Sequence, residues 1–174
     1  MQVSEFDAHQ LELAAKAVSE RLQSAGSSVV LAESCTGGLI ASTMARIPGV
    51  SACLAGSFVV YQVASKTVWI DVQAETIARW GVVSEPVARE MAIGALQHTP
   101  HASVSLAITG DLGPGAAAET DGTAWLAVAG RQANPATKRL TLATGTAADF
   151  PGLRWIRQQQ AAVLALEYLL EWLH

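Results

Sequence analysis

Ser28-Val29-Val30-Leu31-Ala32, running directly into Glu33-Ser34-Cys35-Thr36-Gly37-Gly38, is the stretch on which the reading of this chain turns. The first five residues form a short apolar run with two β-branched side chains, the pattern of a strand covered on both faces. The next six are polar and end in a glycine pair, which makes a turn. Leu39 to Arg46 then reads as a helix, ended by Pro48-Gly49. A buried strand that feeds a polar turn and a helix is a unit of the layered α/β folds. In those folds ligands collect beyond the carboxyl ends of strands.

Reading outward, Phe6 to about Ala25 repeats Leu11, Leu13, Ala14, Ala17, Val18 and Leu22 at helical spacing, and Gly26 supplies the stop. Downstream, Ala55–Tyr61 predicts a second strand, Ser65–Ile70 a short helix, and Ala74–Trp80 another that Gly81 ends. Ser84 is expected to cap, and Pro86 to open, a helix running to about Gln97. Ser103–Thr109 predicts a third strand, delivering into Gly110-Asp111-Leu112-Gly113-Pro114-Gly115. Strands at Gly122–Ala129 and Lys138–Ala143 follow, and Leu153–His174 predicts a long amphipathic helix. Two strands therefore end in glycine-rich loops, after Ala32 and after Thr109, and those loops are the first place to look for a site.

The bulk composition narrows the function classes. A chain of 174 residues that is 51% hydrophobic and 15% charged predicts one well-buried domain over residues 1–174. The net charge is −4 and the 11 basic residues are scattered, so a nucleic-acid surface is not expected. Cys35 and Cys53 have no metal-ligand spacing and read as small thiols of a reducing compartment. Glu5 and Asp7 argue against a signal peptide, and no apolar run reaches the ~18 residues of a membrane span. The expected location is the cytoplasm, without a membrane partner.

Among groups that carry chemistry, Ser34 sits where a strand hands over to a helix, and unpaired N–H groups there can hold an oxyanion. The competing reading is that Ser34 or Thr36 merely caps the helix. The GxSxG elbow is missing, because Ala32 stands two residues before Ser34. Of His9, His98, His101 and His174, none lies in a strand-end loop beside an acid, and the His98/His101 spacing fits a solvated turn better than a metal pair. Lysine can serve as the base if burial lowers its pKa, and Lys66 lies among Val63, Ala64, Val68 and Trp69 with the Tyr61 hydroxyl nearby in sequence. The loop Gly110–Gly115 is neither GxGxxG nor a Walker motif but can cradle a phosphate or sugar. Arg154 and Arg157 are candidates to hold a phosphate or simply to be solvated. The five tryptophans read as core or interface residues.

In order along the chain, several segments resemble the C-terminal domain of the competence/damage-inducible protein CinA and its stand-alone relatives, the nicotinamide-nucleotide amidases. Ala32–Gly38 looks like the AESCTGG signature of that family. Pro48-Gly49 with Ser51, then Gly56 and Tyr61 through Lys66, resemble its PGxS…G…YxNxxK segment. Gly81–Glu85 resembles its GxVSE turn, Ala107–Gly110 with Gly113-Pro114 its A-[VI]-T-G-x-x-G-P loop, and Gly122-Thr123 with Trp125 its GTxW strand. Phe150, Gly152, Arg154 and Arg157 resemble its FxGxRxxxR helix start. The likeness runs from about Leu11 to Leu169.

The resemblance implies a three-layer α/β/α domain with a mixed central sheet, associating as a homo-oligomer, with no required metal or cofactor. It implies hydrolysis of the carboxamide of nicotinamide mononucleotide to nicotinate mononucleotide and ammonia. By position, Ser34 is then the nucleophile, Lys66 the base and Tyr61 the assisting hydroxyl. Thr109, Gly110 and Arg154 then line the nucleotide site. For such a reaction the N–H groups near Thr36, Gly37 and Gly38 are expected to hold the oxyanion. The chain departs from the pattern at Val63 (usually Asn), Asp111-Leu112 (usually Ile-Ala), Ala116-Ala117 and Leu153. Those positions keep two alternatives open: an amidase for another small carboxamide, and a binding module with a decayed site.

Overall fold

The computed structural model describes residues 8–145 and 152–174; Phe6 and Phe150, used in the sequence reading, lie outside them. Helix α1 spans Ala8–Ser24, and Gly26 ends it in the left-handed region (φ 60°), with the Ser27 N–H reaching back to Leu22 O at 2.9 Å. There follow β1 (Val29–Glu33), α2 (Leu39–Met44), a single 3-10 turn at Val50–Ala52 and β2 (Leu54–Val59). Next come α3 (Val63–Ile70), α4 (Ala74–Trp80), α5 (Glu85–Gln97), β3 (Val104–Asp111), β4 (Thr123–Gly130), β5 (Ala133–Thr141) and α6 (Gly152–Trp172).

The strands form one sheet in the order β2-β1-β3-β4-β5. The first three run parallel and the last two antiparallel, so the sheet is mixed, as expected. Side chains alternate across it. Val29 and Leu31 of β1, Leu106 and Ile108 of β3, and Leu126 and Val128 of β4 share a core with Leu11, Val18 and Leu22 of α1, Ile40 of α2 and Leu166 and Leu169 of α6. Their neighbours Val30, Ala32, Ala107 and Ala127 share a second core with Ile70 of α3 and Val87, Ala88, Met91 and Ala92 of α5. Two helical layers thus cover both faces, which is why β1 reads as a continuous apolar run instead of an alternating one.

The α5 face is built from small residues, so α5 lies close to the sheet and the buried Ser105 hydroxyl donates to Ala92 O at 2.6 Å. Gly94 serves the same closeness: a Cβ there would overlap the Ile70 carbonyl oxygen.

Several expectations need correction. Strand β5 starts five residues before the predicted Lys138, although it contains Asn134 and Pro135. Those two fall in the irregularity between the Val128 and Gly130 pairings, on an edge strand where a missing N–H removes no ladder bond. Ser84 occupies the N-cap of α5 but makes no cap; its hydroxyl donates to Gly81 O at 2.8 Å. The core reading fails for three tryptophans, because Trp69, Trp80 and Trp155 are all more than half exposed. Trp125 does pack, half-buried, on the α5 side.

Candidate active site

The register of the parallel strands assembles the site. Glu33, the last residue of β1, pairs with Val59 on one side and Ile108 on the other. The chain beyond these three positions therefore emerges at one end of the sheet: Ser34 in the middle, Val60-Tyr61 beside it and Thr109-Gly110 on the far side. Ser34 is held there by its own backbone, its N–H donating to Ile108 O at 3.1 Å. The connection from β2 to β3 passes over β1, so the crevice lies where the strand order reverses, the usual ligand position in open α/β sheets.

Lys66 comes up from α3 into this end. It is 1% exposed, and Nζ lies 2.9 Å from Ser34 Oγ, 2.7 Å from Val60 O and 3.3 Å from Tyr61 O. The two carbonyls belong to the strand end, where the ladder has run out, and Lys66 supplies their donors. A neutral amine has two N–H bonds for the two carbonyls and one lone pair for the Ser34 O–H. Burial pushes the Lys66 amine down from 10.5 to about 8. The thiolate of Cys35 would oppose this, but burial pushes that thiol up to about 12, so it stays neutral near pH 7 and is no rival nucleophile.

Tyr61 is present but differently engaged from the sequence reading. Its hydroxyl accepts from Arg154 Nη2 at 2.7 Å, and it is the main-chain carbonyl, not the hydroxyl, that meets Lys66. Among the described residues no hydrogen bond joins the Tyr61 hydroxyl to Ser34 or Lys66. Arg154 also donates to Gly113 O at 2.7 Å, so it ties the Gly113 loop to Tyr61 at the rim of the crevice.

The turn after Ser34 is organised by a residue that the sequence reading left without a role. Glu33 is 1% exposed, and its carboxylate accepts from the N–H groups of Gly38 (3.0 Å), Ile40 (3.1 Å) and Ala41 (2.9 Å) and from the Ser57 hydroxyl (3.3 Å). It caps α2, whose own N-cap position, Gly38, has no side chain to do so. A charged residue ending a buried strand was the available signal, since a buried carboxylate needs donors. The capping alternative for Ser34 and Thr36 thereby falls away, and so does the assignment of the oxyanion to Gly37 and Gly38. The Gly37 N–H donates to Ser34 O at 3.0 Å and the Gly38 N–H is taken by Glu33. Among the described residues, the Cys35 N–H meets no acceptor beyond its own thiol, the Thr36 N–H meets none, and the buried hydroxyl of Thr36 has no partner.

The remaining candidates divide. The Thr109 hydroxyl donates to Val82 O at 2.9 Å and ties β3 to the turn before α5. Gly110 is required by packing, since a Cβ there would stand 2.6 Å from that of Ala124. Arg157 is no phosphate ligand: it is 2% exposed, and four of its five N–H groups are taken by Asp121 (2.8 and 2.9 Å), Leu112 O (3.1 Å) and Ala143 O (2.7 Å). Counted strictly, the second arginine of the FxGxRxxxR pattern falls on position 158, which is Gln.

The departures from the family pattern are accommodated. The Asp111 carboxylate folds into its own loop, accepting from the Gly113 N–H at 3.1 Å and the Thr120 hydroxyl at 3.4 Å. Leu112 and Leu153 are buried at 1% and 2% in the core, away from solvent, whereas Val63 is 47% exposed at the start of α3. His98 pairs with Asp71 at 2.6 Å, consistent with a surface turn.

Comparison with known proteins gives the same picture at whole-chain scale. The pattern of the CinA C-terminal domain family matches residues 11–173. The chain is 38% identical over 154 residues to the nicotinamide-nucleotide amidohydrolase PncC of Escherichia coli K12, covering 87% of this chain and 88% of that one. It is 36% identical over 167 residues to PncC of Enterobacter agglomerans, covering 95% and 94%. Among solved structures, the competence/damage-inducible protein CihA of Agrobacterium tumefaciens superposes with a TM-score of 0.86 at 32% identity, over 97% of this chain and 98% of that one. A CinA superfamily protein from Escherichia coli superposes at 0.84 with 29% identity, over 98% and 95%.

Proposed function

We propose a function from one premise: this chain belongs to the CinA C-terminal domain family. It hydrolyses the carboxamide of nicotinamide mononucleotide to nicotinate mononucleotide and ammonia, with Ser34 as nucleophile and Lys66 as base. The observation that carries this reading is the 2.9 Å contact between Lys66 Nζ and Ser34 Oγ, with both residues buried. The likeness to PncC supports the substrate.

Neutral Lys66 takes the Ser34 proton as Oγ attacks the carboxamide carbon. The carbonyl oxygen becomes an oxyanion, met by the N–H groups of Cys35 and Thr36. When the C–N bond breaks, Lys66 returns the proton to the leaving nitrogen, which departs as ammonia. Water then attacks the acyl-enzyme, gives its proton to Lys66, and the acid leaves as Ser34 recovers its hydrogen. Tyr61 and Arg154, joined at the rim, orient the substrate in this scheme. The Asp111 carboxylate, engaged within its own loop, supports the nucleotide over a different carboxamide.

The test is ammonia release from nicotinamide mononucleotide by purified protein, beside Ser34→Ala and Lys66→Met. Release by the wild type alone is expected. A Ser34→Ala enzyme of wild-type rate would sink the scheme, and ammonia from simple amides but not from the nucleotide would move the substrate.

A further inference from the structure

Gln158 Nε2, on α6, lies 3.0 Å from Thr36 O and 3.4 Å from Cys35 O, on the turn that follows the nucleophile. We infer that Gln158 is a positioning residue, which aims the N–H groups of Cys35 and Thr36 at the oxyanion of the reaction proposed above and rests on that reading.

The argument is one of peptide geometry. In a trans peptide the C=O and the N–H point in opposite directions, and the only cis peptide among the described residues is Gly113-Pro114. The Cys35 carbonyl shares its peptide with the Thr36 N–H. Drawing that carbonyl toward α6 turns the Thr36 N–H away from α6. The Thr36 carbonyl shares its peptide with the Gly37 N–H, which donates to Ser34 O at 3.0 Å. That bond orients the Ser34–Cys35 peptide, and with it the Cys35 N–H. One side-chain amide therefore acts on the peptides that aim both N–H groups.

The turn needs such a hold. Gly37 and Gly38 both adopt left-handed backbone (φ 63° and 96°), and glycine gives up more freedom than other residues to keep one conformation. Glu33 fastens the far end at Gly38, Ile40 and Ala41. Within the turn the Leu39 N–H reaches the Thr36 carbonyl at 3.1 Å, but among the described residues no donor of the turn holds the Cys35 carbonyl, and the Thr36 hydroxyl has no partner. Gln158 holds that carbonyl from a stiff base: its neighbour Arg157 is locked to Asp121, Leu112 O and Ala143 O.

The test uses Gln158→Met, which keeps the length and loses the donor, and Gln158→Glu, which keeps the shape and presents an acceptor to two carbonyls. Steady-state ammonia release from nicotinamide mononucleotide should show kcat lowered about 10- to 100-fold, less than the loss of an oxyanion donor itself. KM should stay within about twofold and the acid-side limb of the pH profile should not move, because Lys66 is untouched. A second readout needs neither nucleotide nor amide: p-nitrophenolate release from p-nitrophenyl acetate, corrected with Ser34→Ala, which should slow by a similar factor. Melting curves establish that the variants are folded, and either variant suffices.

Wild-type kcat in a folded variant, a rise in KM alone, or a shifted pH limb would each overturn the role. If the wild type releases no ammonia yet cleaves the ester through Ser34, and Gln158→Met slows that, the nucleotide reading fails and this inference stands. Ester cleavage independent of Ser34 would overturn the inference by itself.

Discussion

Lys66 and Ser34 meet across a gap of 2.9 Å although they arrive from different elements, one from the middle of α3 and the other from the residue after β1. The same lysine nitrogen holds the carbonyls of Val60 and Tyr61, so its position follows from the end of β2 and not from the serine alone. An amine fixed in this way needs no substrate to bring it into register with Ser34.

The pH dependence should carry the mark of that lysine. Only its neutral form accepts the Ser34 proton, and burial brings its pKa down to about 8. kcat/KM for ammonia release should therefore rise about tenfold per pH unit below that value and level off above it. A profile that is flat from pH ~6 to ~9 would remove Lys66 as the base.

Stability should change in the opposite sense when Lys66 is replaced. The folded pKa of about 8 lies below the ordinary 10.5, so the unfolded chain holds more protons between those values and stability rises with pH across that window. Below it the full penalty applies, about 3 kcal/mol. Lys66→Met removes the penalty but leaves Val60 O and Tyr61 O without their donor, at about 1 kcal/mol each. The net expectation at neutral pH is a gain of about 1 kcal/mol, or roughly 2–4 °C in Tm, in an inactive protein. A thermal melt reads it directly.

Glu33→Gln tests the cap of α2. The substitution keeps the size but turns an amide NH2 toward backbone N–H groups that need acceptors. We expect a loss of about 3 kcal/mol in urea unfolding, together with a large fall in kcat, because the turn carrying the Cys35 and Thr36 N–H groups loses its far anchor. Unchanged stability would mean that the carboxylate is not the acceptor described.

Arg157→Met should cost about 3 kcal/mol, since it strands Asp121 and two loop carbonyls. Hydrogen bonds from Arg157 hold the Asp121 carboxyl below its ordinary range. A depressed carboxylate contributes stability that is present above its unfolded pKa and is lost as pH falls through the folded one. The variant should therefore show a shallower acid-side loss than the wild type, measured by urea melts at neutral and acid pH.

Much of this molecule was legible beforehand, because hydrophobic period and glycine stops report layers well. The apolar run at β1, Gly26 after α1 and Gly81 after α4 stand where local chemistry puts them. What escaped was set by long-range register. No spacing in the sequence says that the Tyr61 hydroxyl turns to Arg154, 93 residues away, or that Gln158 reaches back 122 residues to Thr36. The place of Arg157 is hidden for the same reason: its partners lie in two separate connections, Leu112 and Asp121 between β3 and β4 and Ala143 after β5, and only the folded sheet end brings them together. Strand β5 was read short because Asn134-Pro135 carries a strong turn signal locally, which an edge strand can absorb.

The depth of the groups in the crevice has a consequence for how this scaffold can change. Ser34 and Lys66 lie at its floor, 7% and 1% exposed, while Tyr61 and Val63 stand at the rim, 55% and 47% exposed. The scheme proposed above thus puts bond-breaking and recognition at different depths of the same sheet end. Substitutions at the rim can retarget the scaffold to new amides while the environment that tunes the lysine is inherited intact.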